Sequence, residues 1–134
     1  DEALFGIFKS YLDVVGQNAR DERPLPPIRL VTEAAYYQLF ALLGYRLELS
    51  VCGISQERLR SGGKFFLSFE VGGVVSGEHV RDVKDTQPIS ESAIKALRLI
   101  VKEPLLHIPK IVLDDSTQDE LSRLRIAYGR WIRN

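Results

Sequence analysis

The chain has 134 residues, 45% of them hydrophobic, and its 18 basic side chains are balanced by 18 acidic ones. That length fits one domain able to bury about two-thirds of its unfolded surface, and the apolar content is ordinary for a globular protein. Zero net charge excludes a partner selected by the overall field, no run approaches the ~18 apolar residues of a membrane helix, and a single Cys excludes an internal disulfide.

The lone Cys agrees with a reducing compartment. No stretch reads as a signal peptide, a repeat or a low-complexity tract. There is no Met, even at position 1, so the expectation is that the chain starts inside a longer protein.

In chain order, residues 3–15 carry Leu4, Phe8, Tyr11 and Val15 at helical spacing, with Ile7 and Leu12 beside them. This predicts a helix with a wide apolar face packed in the core, stopped at Gly16. Residues 17–26 read as a polar loop with two prolines, expected to be the most flexible part. Pro27 can open the next helix, about 27–43. Its apolar residues lie almost all round, broken only by Arg29, Thr32, Glu33 and Gln38. Such a helix should be central, with the Tyr36 and Tyr37 hydroxyls at the rim and Gly44 as its cap.

A β-ribbon insert is expected over about 46–80. Arg46 to Val51 alternates charge and leucine, a short strand signal. Lys64–Val71 is β-like, Gly72-Gly73 fits a two-residue hairpin turn, and Val74-Val75 begins the return. A bare ribbon is marginal, so Phe65, Phe66 or Phe69 must pack on helices. Residues 81–88 read as a charged turn. Ser90 then caps a helix to about Lys102, whose apolar face is Ala93, Ile94, Leu97, Ile100 and Val101. Residues 105–113 read as an extended, buried connector holding a packed His107. Thr117 and Glu120 form a capping box, with Ser116 as an alternative cap, for a last helix over about 117–133. Its buried stripe is Leu121, Leu124, Tyr128, Trp131 and Ile132. The fold class expected is mainly α: a helical bundle in one domain with an inserted small β-ribbon.

Within the insert, Cys52 and Ser55 are spaced x-x, as are Ser76 and His79. That is the layout of a zinc knuckle, with two close ligand pairs joined by a ribbon. A neutral hydroxyl is a poor zinc ligand, so the four positions read as a knuckle without its metal. The expectation is no zinc and no other cofactor. Cys52 then reads as a small buried residue and His79 as an ordinary loop histidine. Non-standard zinc ligation is the competing reading.

This stretch resembles the C-terminal domain of the RecO family of bacterial recombination mediators. The likeness is carried by Leu43-Gly44-Tyr45, Glu48-Leu49, Cys52, Phe66-Leu67-Ser68-Phe69 and Gly72-Gly73-Val74-Val75, and it extends as an order of elements over nearly the whole chain. Many members carry Cys-x-x-Cys pairs where this chain has Ser55, Ser76 and His79. The resemblance implies DNA repair and homologous recombination in a bacterial cytoplasm, at the nucleoid. It implies an N-terminal OB barrel outside this sequence. It also implies three partners: the acidic, Phe-ended tail of single-strand-binding protein, RecR, and single-stranded DNA, with strand annealing and recombinase loading as the outcome.

Catalytic chemistry finds few groups. Gly62-Gly63-Lys64 lacks phosphate-loop spacing, no Gly-x-Ser-x-Gly elbow exists, and Asp114-Asp115 suit a helix N-terminus. No enzyme is expected. What remains are two basic stripes, Lys95/Arg98/Lys102 and Arg123/Arg130/Arg133. Either alone reads as a solvated helix face; together they form a local basic field suited to an acidic partner. Few exposed aromatics interleave with them, which favours an acidic peptide over single-stranded DNA. The alternatives are direct DNA binding and a purely structural scaffold for the barrel.

Overall fold

The computed structural model describes residues 2–20 and 28–133. The polar loop beyond Arg20 and the opening at Pro27 lie outside the described residues. The described residues form four α-helices and a small sheet: α1 (Glu2–Arg20), α2 (Ile28–Leu42), β1 (Phe65–Ser68), β2 (Gly73–Ser76), β3 (Thr86–Ile89), α3 (Glu91–Ile100) and α4 (Asp115–Arg133). Two 3-10 segments, Gly77–Asp82 and Leu105–Lys110, complete the order. The architecture is mainly α with a small inserted sheet, as expected.

α2 is the central helix and meets α1, α3, α4 and the second 3-10 segment. It buries Leu30, Val31, Ala34, Tyr37 and Phe40. Its end is a Schellman turn: Gly44 at φ +98° donates to Ala41 O, and Tyr45 donates to Phe40 O at 2.8 Å. Glycine adopts that conformation without the Cβ penalty. Two readings of α2 need correction. Tyr37 is buried, not at the rim, and its hydroxyl donates to Leu121 O at 3.0 Å. Glu33 does not interrupt the core; it is buried and paired with Arg125.

α1 runs through Gly16 to Arg20. Its wide apolar face is only partly used. Ile7 and Tyr11 pack on the core, while Leu4, Phe5, Phe8 and Leu12 are exposed. Among the described residues α1 packs chiefly on α2 and the Leu105–Lys110 segment, so one stripe is covered and the other faces outward.

The sheet has three antiparallel strands in the order β2-β1-β3. The strand at residues 86–89 is a correction to the expected turn. It holds as an edge strand, where Pro88 needs no ladder donor on its outer side. Gly73 belongs to β2, paired with Ser68; the turn covers residues 69–72, closed by Gly72 N donating to Ser68 O. Residues 46–51 do not form a strand. Glu48 makes a single parallel bridge to Gly73, and Val51 one antiparallel bridge to Arg58. The Glu48 carboxylate accepts from the N–H of Ser50 and Val51, which turns the backbone away from the sheet. Phe65, Leu67 and Phe69 share the face packed on the bundle. Phe69 stacks on Tyr128 with ring centres 4.9 Å apart.

Ser90 caps α3 as expected, its Oγ accepting from Ala93 N at 3.1 Å. The cap of α4 is Asp114, not Thr117: Asp114 Oδ1 accepts from Thr117 N at 2.9 Å. The Thr117 hydroxyl, and after it this N–H, hold the Asp114 carboxyl below its usual range. Glu120 is then free to bind Ser90, accepting from its N and Oγ at 2.7 Å each. Residues 105–110 form a 3-10 turn, not an extended connector, and only Leu105 and Ile108 are buried there. Val112 is 91% exposed. His107 is exposed rather than packed, 3.5 Å from Glu103.

Candidate binding surfaces

At the expected knuckle, Cys52 lies in a tight turn that faces Ser76. Cys52 N donates to Glu57 O and Gln56 N to Cys52 O, closing a tight turn with Gln56 at φ +62°. Cys52 is fully buried, and its Sγ accepts from Ser76 N at 3.4 Å. Burial pushes this thiol up. The N–H groups of Ser55 and Ser76, the Ser55 hydroxyl and the N–H of Ile54 outweigh that and hold it down at about 6. Protein donors therefore surround the sulfur where a knuckle would present it to a metal.

Ser55, Ser76 and His79 all line one cleft of about 530 Å³. His79 sits 3.7 Å from Asp82. Among the described residues no three of His, Cys, Asp and Glu gather as a metal would require. Serine hydroxyls at two corners do not make up the deficit. The residues present do not fit zinc.

The knuckle cleft is rich in cations that the stripe pattern missed: Arg58, Arg60, Lys64 and Arg81. A signal was present in Arg58-Leu59-Arg60, two cations that share a side wherever the chain is extended.

The first stripe divides. Lys95 and Arg98 border a pocket of about 160 Å³ with Leu59, Phe65 and Ile94. Arg98 is half-buried there, and its Nε and Nη2 both donate to Leu49 O at 2.9 and 2.7 Å. It ties α3 to the insert. Glu91 also lines this pocket and accepts from Ser61 Oγ and Gly62 N.

Lys102 stands at the other end of α3. With Arg46 it walls a cleft of about 180 Å³ lined by Tyr37, Ala41, Tyr45, Leu47 and Val101. In the sequence Arg46 reads only as part of a strand. Trp131 packs edge-on against Tyr45 at 6.2 Å between ring centres. Arg123, Arg130 and Arg133 are exposed on α4 and line none of these clefts. The two stripes are thus not brought into one groove.

A helical bundle with an inset three-stranded sheet and a knuckle lacking a metal-ligand set defines the class of this domain. The family model described as recombination protein O C terminal matches residues 1–131. The chain belongs to that family, and its role lies in DNA recombination and repair. No curated protein and no solved structure matches it. Among the described residues, no helix is long and apolar enough to cross a membrane.

Proposed function

We propose that the chain is a non-enzymatic binding domain of a bacterial, cytoplasmic recombination mediator, and that it engages the acidic, Phe-ended tail of single-strand-binding protein. Strand annealing, recombinase loading and contact with RecR belong to the same reading. The observation that carries it is the Arg46/Lys102 cleft. Its floor is Tyr37, Ala41, Tyr45, Leu47 and Val101, and no carboxylate lines it. An aromatic end suits the floor, and the two cations suit the carboxylates beside it. The Lys95/Arg98 pocket is a poorer match, because Glu91 lines it and Arg98 is bound to the Leu49 carbonyl. Arg123, Arg130 and Arg133 add exposed positive charge on α4.

The test is titration of the chain with an acidic, Phe-ended peptide, followed by calorimetry and by Trp131 fluorescence. Lys102→Glu or Arg46→Glu should weaken binding about tenfold or more, ~1.4 kcal/mol. Binding unaffected by both substitutions would remove the tail from this cleft. No binding at all would leave the scaffold reading. The chain is further proposed to act without zinc, and metal analysis of the purified protein showing one equivalent of zinc would refute that.

A further inference from the structure

We infer that Gln38 is a positioning residue of the Arg46/Lys102 cleft: from α2 it pins the turn that follows α3, and so fixes where Lys102 stands. The inference rests on the tail reading and names what sets the strength of that site. The cleft takes its walls from separate parts of the chain. Tyr37 and Ala41 come from α2, Tyr45 and Arg46 from the segment after it, and Val101 and Lys102 from the turn after α3. The Arg46 side is tied to the bundle at two points. Tyr45 N donates to Phe40 O at 2.8 Å, and the Tyr128 hydroxyl donates to Tyr45 O at 3.0 Å. The Lys102 side lies beyond Ile100, the last residue of α3, where a helix leaves its final carbonyls without intrahelical partners.

Gln38 supplies those partners. Its Nε2 donates to Ile100 O at 2.9 Å and to Glu103 O at 2.8 Å, the carbonyls on either side of Val101-Lys102. Within that turn Lys102 N and Glu103 N both donate to Leu99 O, at 3.2 and 3.0 Å. A side-chain amide suits the task, because one nitrogen carries two donors and no charge. Gln38 follows Tyr37 directly and precedes Ala41 by three residues. The anchor of the Lys102 turn therefore belongs to the same stretch of α2 as the cleft floor. Lys102 itself is exposed and makes no ion pair among the described residues. Its long side chain loses rotamer freedom when it meets a carboxylate. A backbone already held in place confines that loss to the side chain. In the sequence Gln38 is only a polar break in an apolar helix.

The experiment is calorimetric titration of the 134-residue chain with the acidic, Phe-ended peptide at neutral pH. Gln38→Leu and Gln38→Glu both keep most of the side chain's volume and lose its two donors. Each should weaken peptide binding about fivefold. In a Lys102→Ala background the loss from Gln38→Leu should shrink to about half or less on a logarithmic scale, whereas in an Arg46→Ala background it should persist in full. The salt dependence of peptide binding in Gln38→Leu should fall toward that of Lys102→Ala, a change that general loosening of α2 does not produce. Without peptide, amide exchange at residues 101–103 should quicken in Gln38→Leu and stay unchanged in β1. Wild-type affinity in both Gln38 variants overturns the inference and leaves the tail reading standing. Equal losses in the Lys102→Ala and Arg46→Ala backgrounds also overturn it, because they mark a purely structural role. No binding by the wild-type chain overturns the tail reading and this inference with it.

Discussion

Arg125 holds its guanidinium against a carboxylate that lies inside the core. Its Nε donates to Glu33 Oε2 at 2.9 Å and its Nη2 to Oε1 at 3.0 Å, while Ser122 Oγ donates to Oε1 at 2.8 Å. The guanidinium also sits 4.5 Å from the centre of the Tyr36 ring. The bond to Glu33 raises the Arg125 pKa above its ordinary value. Burial, with Glu33 nearby, drives the Tyr37 hydroxyl strongly upward, so it stays a donor to Leu121. Arg125→Ala would strand the Glu33 charge and should cost about 3–5 kcal/mol, measured as a fall in the urea midpoint. Cys52 gives a second prediction. A thiol depressed on folding adds stability above its ordinary range, about pH 8.5, and that stability is lost as pH falls through about 6. The wild-type chain should therefore gain stability between pH 6 and 8.5 from this group. Cys52→Ala should flatten that rise in denaturation curves taken at both pH values.

At the scale of elements, the insert depends on one close approach. A Cβ added at Gly73 would lie 2.5 Å from Glu48 O and 2.9 Å from Glu48 Cβ. The same backbone makes the bonds Val74 N to Glu48 O and Glu48 N to Gly72 O, at 2.9 and 2.8 Å. Gly73→Ala must push the Glu48 segment off the sheet, and should cost about 1–3 kcal/mol, read from the thermal midpoint. This element is also where the sequence was least legible. The helices were readable because α2, α3 and α4 bury faces of 3.6-residue period, and Ser90 and Gly44 mark their ends by local chemistry. Residues 46–51 alternate like a strand, yet the Glu48 side chain supplies the bonds that a neighbouring strand would have supplied. β3 was hidden by Pro88, tolerable only because the strand lies at an edge, and edges are not visible in one dimension. The exposed face of α1 has the same cause: periodicity shows that a face is apolar, not whether an element arrives to cover it.

At the scale of the molecule, α3 separates two kinds of surface. Its start borders the pocket of Leu59, Arg60 and Phe65, and its end borders the small cleft of Arg46 and Lys102. The stripe Lys95/Arg98/Lys102 was legible as spacing, but its division was not, since Arg98 finds Leu49 from 49 residues away in sequence. Arg58, Arg60, Lys64 and Arg81 were illegible as a group for a related reason: they gather through the sheet's pairing rather than through any helical repeat. One last feature bears on how these surfaces communicate. Tyr128 touches Phe40 of α2, Phe69 of the sheet's turn, Tyr45 and Trp131, at 4.9–6.4 Å between ring centres. The sheet thus has no core of its own and shares one with the bundle. Its amide hydrogens should exchange with solvent only when the bundle opens, and an occupant seated against Tyr45 would slow that exchange in β1, a strand it never touches.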